Sequence, residues 1–516
     1  MIANNNLSCI SNFPLFLFDF KKQKTSNNMK TFDKFRIPVL IVFILFSTIS
    51  IFSQTYEDKN FNCFSVLVGK NATTDGSIMY AHNEDDWGDR VVNWYLAPYE
   101  YQEQGDSITL KRGGKIAQGK ETFKYLWLEI PELEFSDSYL NEFGIIIASD
   151  ACVSREDEPE LTDGGIGYWL RRAMAERART AKEAVKIGGQ LIDQMGYASS
   201  GRTYCIAGPN EAWMLSAVKG KHWIAQRIPD GHVAIIPNYY TIANIDLADT
   251  INFLGSPDIV DYAIKRDWYD PKTDGEFNFR KAYSDQGNLA SLGNRARHWI
   301  SINALSEKQY SLEEEFPFSF VPKKKVGLED LFKVLRNHYE GTELDKTEGY
   351  KTGNPHQQGA MSVCSSTNQY GFVAQIRNWL PIEIGAVLWI APRRPCTEAF
   401  VPIYSGLLSV PKNFVLTDFK KGLKTHFDKI ENFEEYSKGN EYLSFGAKAA
   451  RIDEDYGKLI PEVQKSISTY EKELLTNQPG FEKNIIEIYN REPEQAKEIL
   501  TEYSLKAIQH ILDMTK

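Results

Sequence analysis

The stretch from Cys63 to Asp86 constrains this chain most. Cys63-Phe-Ser-Val-Leu-Val-Gly69 is rich in β-branched and apolar residues, Lys70 to Gly76 is a turn ending in Asp75-Gly76, and Ser77 to Ala81 regains strand character. The pattern predicts a β-hairpin with a cysteine at its first position. A tight return brings the polar residues at the end of the second strand, His82-Asn83-Glu84-Asp85-Asp86, close to that cysteine.

Further strands are predicted at Tyr125 to Ile130, Gly144 to Ser149, Thr203 to Ala207, Ala212 to Ala217, Trp223 to Arg227 and Val233 to Ile236, each bounded by Gly, Pro, Asn or Asp. Gly165 to Met195 carries apolar residues at helical spacing and predicts one long helix. Phe372 to Leu388 and Trp389 resume strand character, and from about Glu431 the chain turns to Lys, Glu, Leu and Ile with helical periodicity. No fixed-period repeat or low-complexity tract interrupts this order. The expected organisation is a catalytic body over 63–410 followed by a helical C-terminal extension over 411–516.

Upstream, Lys30, Lys34 and Arg36 precede an apolar run from Ile37 to Phe52, and Ser53, Gln54 and Thr55 follow it as a cleavage region. That run of about 16 residues is short of the ~20 that cross a bilayer. Residues 1–28 therefore read as an upstream extension, 29–54 as a signal peptide and 55–62 as a short pro-segment, with an uncleaved anchor as the rival reading. Cleavage predicts an exported protein, periplasmic or extracellular, without stable membrane insertion. A net charge of -10 and the lack of a dense Lys/Arg stripe interleaved with aromatics speak against a nucleic-acid partner. A homo-oligomer stays open.

Of six cysteines, Cys9 falls in the discarded segment, leaving Cys63, Cys152, Cys205, Cys364 and Cys396. An odd number in an oxidising compartment leaves one thiol without a partner in its own chain, and Cys63 is the one expected to stay free. A chain that begins with cysteine carries a nucleophile and, in its α-amine with a pKa of roughly 8, a base. Spacing alone also permits a plainer view, in which Cys63 is a buried small hydrophobe and Asn83 to Asp86 a solvated turn.

The run from Asn62-Cys63-Phe-Ser-Val-Leu-Val-Gly to Tyr80-Ala-His-Asn-Glu-Asp85 resembles the mature start of the dipeptidase A and secernin family of cysteine peptidases, which are N-terminal-nucleophile hydrolases. The similarity continues through Asn141-Glu142-Phe-Gly144, Gln226-Arg227-Ile-Pro229-Asp230, Ile236-Pro237-Asn238, Phe279-Arg-Lys-Ala282-Tyr283, Arg336-Asn-His338-Tyr339-Glu340-Gly341-Thr342 and Gln375-Ile-Arg377-Asn-Trp379, and closes at Pro395-Cys396-Thr397 and Val401 to Gly406.

The resemblance implies an α+β fold, an αββα four-layer sandwich of two largely antiparallel sheets between helical layers, and acyl transfer through a thioester. It implies Asp85 as partner of the α-amine, Asn83 as orienting the loop beside it, and Asn238 as binding the amine or the substrate amide, where capping a turn after proline is the plainer role. Where the related bile-salt hydrolases carry arginine, this chain has His82, so either protonated His82 or another arginine supplies the cation near the thiol. Arg295 and Arg297 lie at a similar distance past Asn238 to an arginine of those enzymes, although a solvated helix face explains such a pair equally well. Asn141 is a further accessory candidate. His338-Tyr-Glu340 and Gln375-Ile-Arg377 belong to the resemblance without a derived role.

The expected function is an exported cysteine-dependent dipeptidase acting on dipeptides or short peptides after cleavage at Asn62. An amide hydrolase or acyltransferase acting on acyl-amino acids or bile-salt-like amides, and a non-enzymatic envelope protein retaining the fold, are the alternatives. No metal and no cofactor are expected: the eight histidines are scattered, none in His-Glu-x-x-His, and no Cys-x-x-Cys occurs.

Overall fold

In the computed structural model, which describes residues 63–516 other than 87, 89, 104 and 358–360, Cys63 directly precedes β1 (Phe64–Val68), and a turn leads back into β2 (Ile78–Asp85). Gly76 sits in that turn at φ 86°, a conformation that glycine adopts without strain. The expected upstream extension, signal peptide, pro-segment and Asn62 lie outside the described residues.

β2 runs to Asp85, beyond the end at Ala81 that the sequence suggests. The reason is a partner distant in sequence. β17 (Asn368–Ile376) pairs with β2 from Ile376 opposite Ile78 to Asn368 opposite Asp85, so the backbone of 82–85 finds its hydrogen bonds in a ladder. The polar cluster is thus strand, and its side chains alternate between two faces of a sheet.

That sheet has seven strands in the order β16-β14-β1-β2-β17-β18-β19, with β14 at Val233–Ile236, β16 at Ser319–Phe320, β18 at Ala386–Pro392 and β19 at Val401–Tyr404. A second, eight-stranded sheet has the order β15-β13-β12-β11-β10-β9-β8-β3. Its members are β3 (Asn93–Ala97), β8 (Tyr125–Glu129), β9 (Ser138–Asn141), β10 (Ile146–Ala151), β11 (Tyr197–Ala207), β12 (Ala212–Gly220), β13 (Trp223–Arg227) and β15 (Phe253–Gly255). Two small pairs, β4 (Glu100–Tyr101) with β7 (Glu121–Thr122) and β5 (Ser107–Thr109) with β6 (Lys115–Ala117), stand apart. Strand pairs in both large sheets are antiparallel.

Period-two alternation divides the eight-stranded sheet between two apolar cores. Ala148, Cys205 and Met214 share a core with Val66, Leu67 and Ala81 of the seven-stranded sheet, whereas Ile147, Tyr204 and Leu215 face Ala173, Met174 and Val185 of two helices. The single helix expected over 165–195 is these two, Tyr168–Arg177 and Ala181–Met195. Thr180 restarts the second by accepting from the Glu183 amide at 3.1 Å.

The predicted strand block after Phe372 is broken by a short helix, Ile382–Gly385, between β17 and β18. The C-terminal part holds the helices Phe419–Thr425, Phe433–Ser437, Leu443–Glu454, Tyr456–Tyr489 and Pro493–Asp513. Leu474, Leu500 and Ile508 join the same core as Leu388 and Ile403. Arg377, next to the end of β17, forms a two-pronged pair with Glu482, with Nη1 to Oε2 at 2.5 Å and Nη2 to Oε1 at 2.7 Å, and Tyr404 donates to the same carboxylate at 2.9 Å. The Gln375-Ile-Arg377 segment thereby fastens the helices to the sheet. No helix among the described residues is long and apolar enough to cross a membrane.

Candidate active site

Cys63 is 1% exposed and stands at the head of β1, where its thiol donates to Glu84 Oε1 at 3.1 Å. Register explains the meeting. Ser65 lies opposite His82, so Cys63, Ser65, His82 and Glu84 present their side chains on one face of the hairpin.

Those side chains form a continuous chain of hydrogen bonds. Glu84 Oε2 lies 3.1 Å from His82 Nε2, His82 Nδ1 lies 2.8 Å from Ser65 Oγ, and Ser65 donates to Asp150 Oδ2 of β10 at 2.7 Å. Because the Ser65 hydrogen goes to Asp150, its oxygen accepts from His82 Nδ1–H. His82 Nε2 then carries a lone pair and Glu84 supplies the proton between them. Electrostatics agree. Burial pushes Glu84 up to about 8 and Asp150 to about 6, and it brings His82 down to about 4.

Neutral His82 therefore provides no cation near pH 7. Cations that act on His82 and Glu84 come from the other sheet and a helix packed on it: Arg171 and Arg202 both donate to Ser149 Oγ, at 3.1 and 3.2 Å. Burial and the charges of Glu84, Asp150 and Asp85 push the Cys63 thiol well up, and Arg202 opposes them.

Asn83 and Asp85 point to the opposite face. Asn83 Nδ2 donates to the carbonyls of Leu335 and Val363, both at 2.9 Å, and Gly371 permits this approach because a Cβ there would stand 2.6 Å from Asn83 Oδ1. Asp85 Oδ1 accepts from Ser365 and, at 2.8 Å, from Thr367. Its Oδ2 is buried without a hydrogen-bond partner among the described residues, while its backbone carbonyl lies 3.9 Å from the Cys63 sulfur. Burial raises Asp85 to about 7, against the pull of Ser365, Thr367 and Arg297.

Arg297 and Asn238 meet at the same place. Arg297, fully buried on the helix Leu292–Leu305, donates from Nη1 to the Cys63 carbonyl at 3.2 Å. Its Nη2 donates to Asn238 Oδ1 at 2.8 Å, to Asn294 Oδ1 at 2.8 Å and to the Pro237 carbonyl at 3.3 Å. Asn238 adopts φ 72°, a left-handed backbone that asparagine tolerates, and its buried Nδ2 has no hydrogen-bond partner among the described residues. Arg295 lies elsewhere, bonded to the carbonyls of Leu312 and Glu314.

Asn141 is the candidate the fold does not bring in. It ends β9 and ties backbone together, donating to the carbonyls of Ala175 and Ala178 and accepting from the amides of Phe143 and Ile145. Glu84, Asp150, Arg202 and Ser365 were not singled out from the sequence. Glu84 alone had a usable signal, its place two residues after His82 in an alternating strand; the others are close only through sheet pairing and loops.

A model of peptidase family C69 matches residues 142–438. A probable dipeptidase of Salmonella dublin is 27% identical over 359 residues, covering 67% of this chain and 81% of its own. A probable dipeptidase of Latilactobacillus sakei is 27% identical over 362 residues, covering 67% and 74%. A mutant conjugated bile acid hydrolase from Clostridium perfringens overlaps 64% of this chain and 89% of its own at 11% identity and a TM-score of 0.31.

Proposed function

The chain belongs to peptidase family C69, and from that premise we propose that it is a cysteine-dependent dipeptidase that becomes active when the Asn62–Cys63 bond is cut. The observation that carries this reading is the convergence on Cys63 of Glu84 at its sulfur and of Arg297, itself bonded to Asn238, at its carbonyl.

In the uncut chain, Glu84 receives the thiol proton while passing its own to His82 Nε2, a short relay through buried groups. The sulfur attacks the Asn62 carbonyl carbon; a C–S bond forms, the C–N bond breaks, and the freed Cys63 nitrogen takes the proton. Water then hydrolyses the thioester, releasing the upstream segment as a carboxylate and restoring the thiol.

In the mature enzyme the α-amine replaces the relay as base. Asp85 Oδ2, buried without a hydrogen-bond partner among the described residues, suits an ammonium or amine at that end of β1. The thiolate attacks the scissile carbonyl of a dipeptide, Asn238 Nδ2 donates to the developing oxyanion at a stabilisation of ~3 to 4 kcal/mol, the α-amine proton goes to the leaving amine, and water resolves the acyl-enzyme.

The same reading takes the two sheets and their helices as the four layers of an N-terminal-nucleophile hydrolase. It is supported by Ser65 reaching Asp150 on one face of the hairpin while Asn83 reaches the helix Leu328–Leu335 on the other. It also keeps the export expected from residues 29–54.

The test pairs N-terminal sequencing of the expressed protein with a dipeptide-library assay. A chain beginning at Cys63 that hydrolyses dipeptides is expected. A fully active enzyme that retains Asn62 overturns the proposal.

A further inference from the structure

A second cluster of reactive side chains lies away from the Cys63 sulfur. His338 follows the helix Leu328–Leu335, His356 sits in the short 3-10 turn Pro355–Gln357, Cys364 precedes β17, and Cys396 lies in the turn after β18. One ligand atom from each comes within 4.8 Å of all the others. Cys364 and Cys396 are completely buried, and the two histidine side chains are 0% exposed.

Two of the six edges of the cluster come close to those of a zinc tetrahedron. Zinc bonds of ~2.0–2.1 Å to nitrogen and ~2.3 Å to sulfur give edges of roughly 3.4 Å between nitrogens and roughly 3.6 Å between nitrogen and sulfur. Here Nε2 of His338 and Nε2 of His356 are 3.1 Å apart, and Cys396 Sγ is 3.6 Å from His356 Nε2.

The outer nitrogens point the same way. His338 Nδ1 lies 3.1 Å from Glu340 Oε1 and 3.2 Å from the Tyr350 hydroxyl, and His356 Nδ1 lies 3.2 Å from Asp453 Oδ1. At His338 the carboxylate on Nδ1 holds the proton there and turns the Nε2 lone pair inward, the arrangement that orients metal-bound histidine. That lone pair stands 3.1 Å from His356 Nε2 beside two sulfurs, a contact satisfied either by a cation among the four groups or by a proton on His356 Nε2.

Arg394 completes the surroundings. It pairs with Asp453, with Nη1 to Oδ1 at 3.0 Å and Nη2 to Oδ2 at 2.7 Å, and its Nη1 also comes within 2.6 Å of His356 Nδ1. Without a metal the guanidinium can donate to that nitrogen and leave an Nε2 proton to bridge the histidines.

We propose that His338, His356, Cys364 and Cys396 bind one zinc ion in a closed tetrahedral site. Two thiolates with two imidazoles and no open position suit structural zinc. The ion clips four segments together next to the hairpin's second face, because Cys364 adjoins both Ser365, which bonds Asp85, and Val363, whose carbonyl takes Asn83. It acts as a positioning element and touches no reacting atom.

The experiment measures zinc in the purified full-length chain by inductively coupled plasma mass spectrometry, after zinc loading of the reduced protein and removal of loose metal. About one zinc per chain is expected. Cobalt loading is expected to give thiolate-to-cobalt charge-transfer bands and a tetrahedral visible spectrum. Cys396→Ser and His338→Gln lose the bound ion, while Cys152→Ser retains it. Less than a tenth of an equivalent of zinc in the folded wild-type chain overturns the proposal, and so does a Cys364–Cys396 disulfide in peptide maps of the protein as isolated. Neither result depends on peptidase activity.

Discussion

Cys63 and Glu84, separated by 21 positions in sequence, meet sulfur to carboxyl at 3.1 Å with both side chains shut away from solvent. A carboxyl in that setting holds its proton far beyond the usual range, at about 8 against an ordinary 4.5.

That proton makes stability depend on pH. The folded chain retains it where the unfolded chain has lost it, so the stabilisation is complete below pH 4.5 and is lost as pH rises through about 8. His82, lowered from 6.5 to about 4, acts oppositely: its contribution is present above pH 6.5 and is lost as pH falls towards 4. The interval from pH 6.5 to 8 therefore isolates Glu84 from His82. In a Cys63→Ala background, adding Glu84→Gln should flatten the decline there by up to about 1.4 kcal/mol per pH unit. Urea unfolding at three pH values measures it, and equal slopes would reject the assignment.

Cys63→Ala should fold normally by circular dichroism, keep Asn62 by intact mass, and lose dipeptide hydrolysis by on the order of 10⁴-fold or more. Retained turnover refutes the nucleophile.

Arg297→Lys replaces a planar fork by a point charge that cannot serve Cys63, Pro237, Asn238 and Asn294 at once. A loss of about 2–4 kcal/mol in denaturant unfolding and about 10²-fold in kcat/KM is expected. A variant with unchanged kcat/KM would show that the clamp does not position the nucleophile.

Asp85→Asn removes the charge while still accepting from Ser365 and Thr367. It should lower kcat about 10²-fold or more, whereas Ser365→Ala, which leaves the carboxylate, should cost less than about tenfold. Steady-state kinetics decide it, and equal losses would mean that Asp85 serves only to hold the loop.

Glu482→Ala leaves the buried Arg377 without its pair. A loss of about 3–5 kcal/mol is expected in chemical denaturation. An effect below about 1 kcal/mol would mean that the C-terminal helices are not tied to the sheet through this contact.

Much of the strand framework was legible because apolar alternation and turn residues are local signals. Trp223–Arg227 and Val233–Ile236 are strands with the limits read from sequence, and Tyr125–Glu129 ends one residue before the expected Ile130. The end of β2 was not legible, since Asn83 to Asp85 look like a turn until β17 supplies their ladder. The split of the helix at Thr180 was masked by apolar spacing that continues across it. Arg297 looked like one of a solvated pair, and nothing local separates it from Arg295; the fold buries one beside Cys63 and sends the other to the carbonyls of Leu312 and Glu314.

By itself the sequence determined the hairpin, the cysteine at its head and the family resemblance, because each is written in contiguous residues. Tertiary structure alone decided which face of β2 serves the thiol, that His82 is neutral, and that His338, His356, Cys364 and Cys396 converge. Proton affinity follows burial and nearby charge, and ligand geometry follows the pairing of distant segments; neither has a local pattern that a single sequence can display.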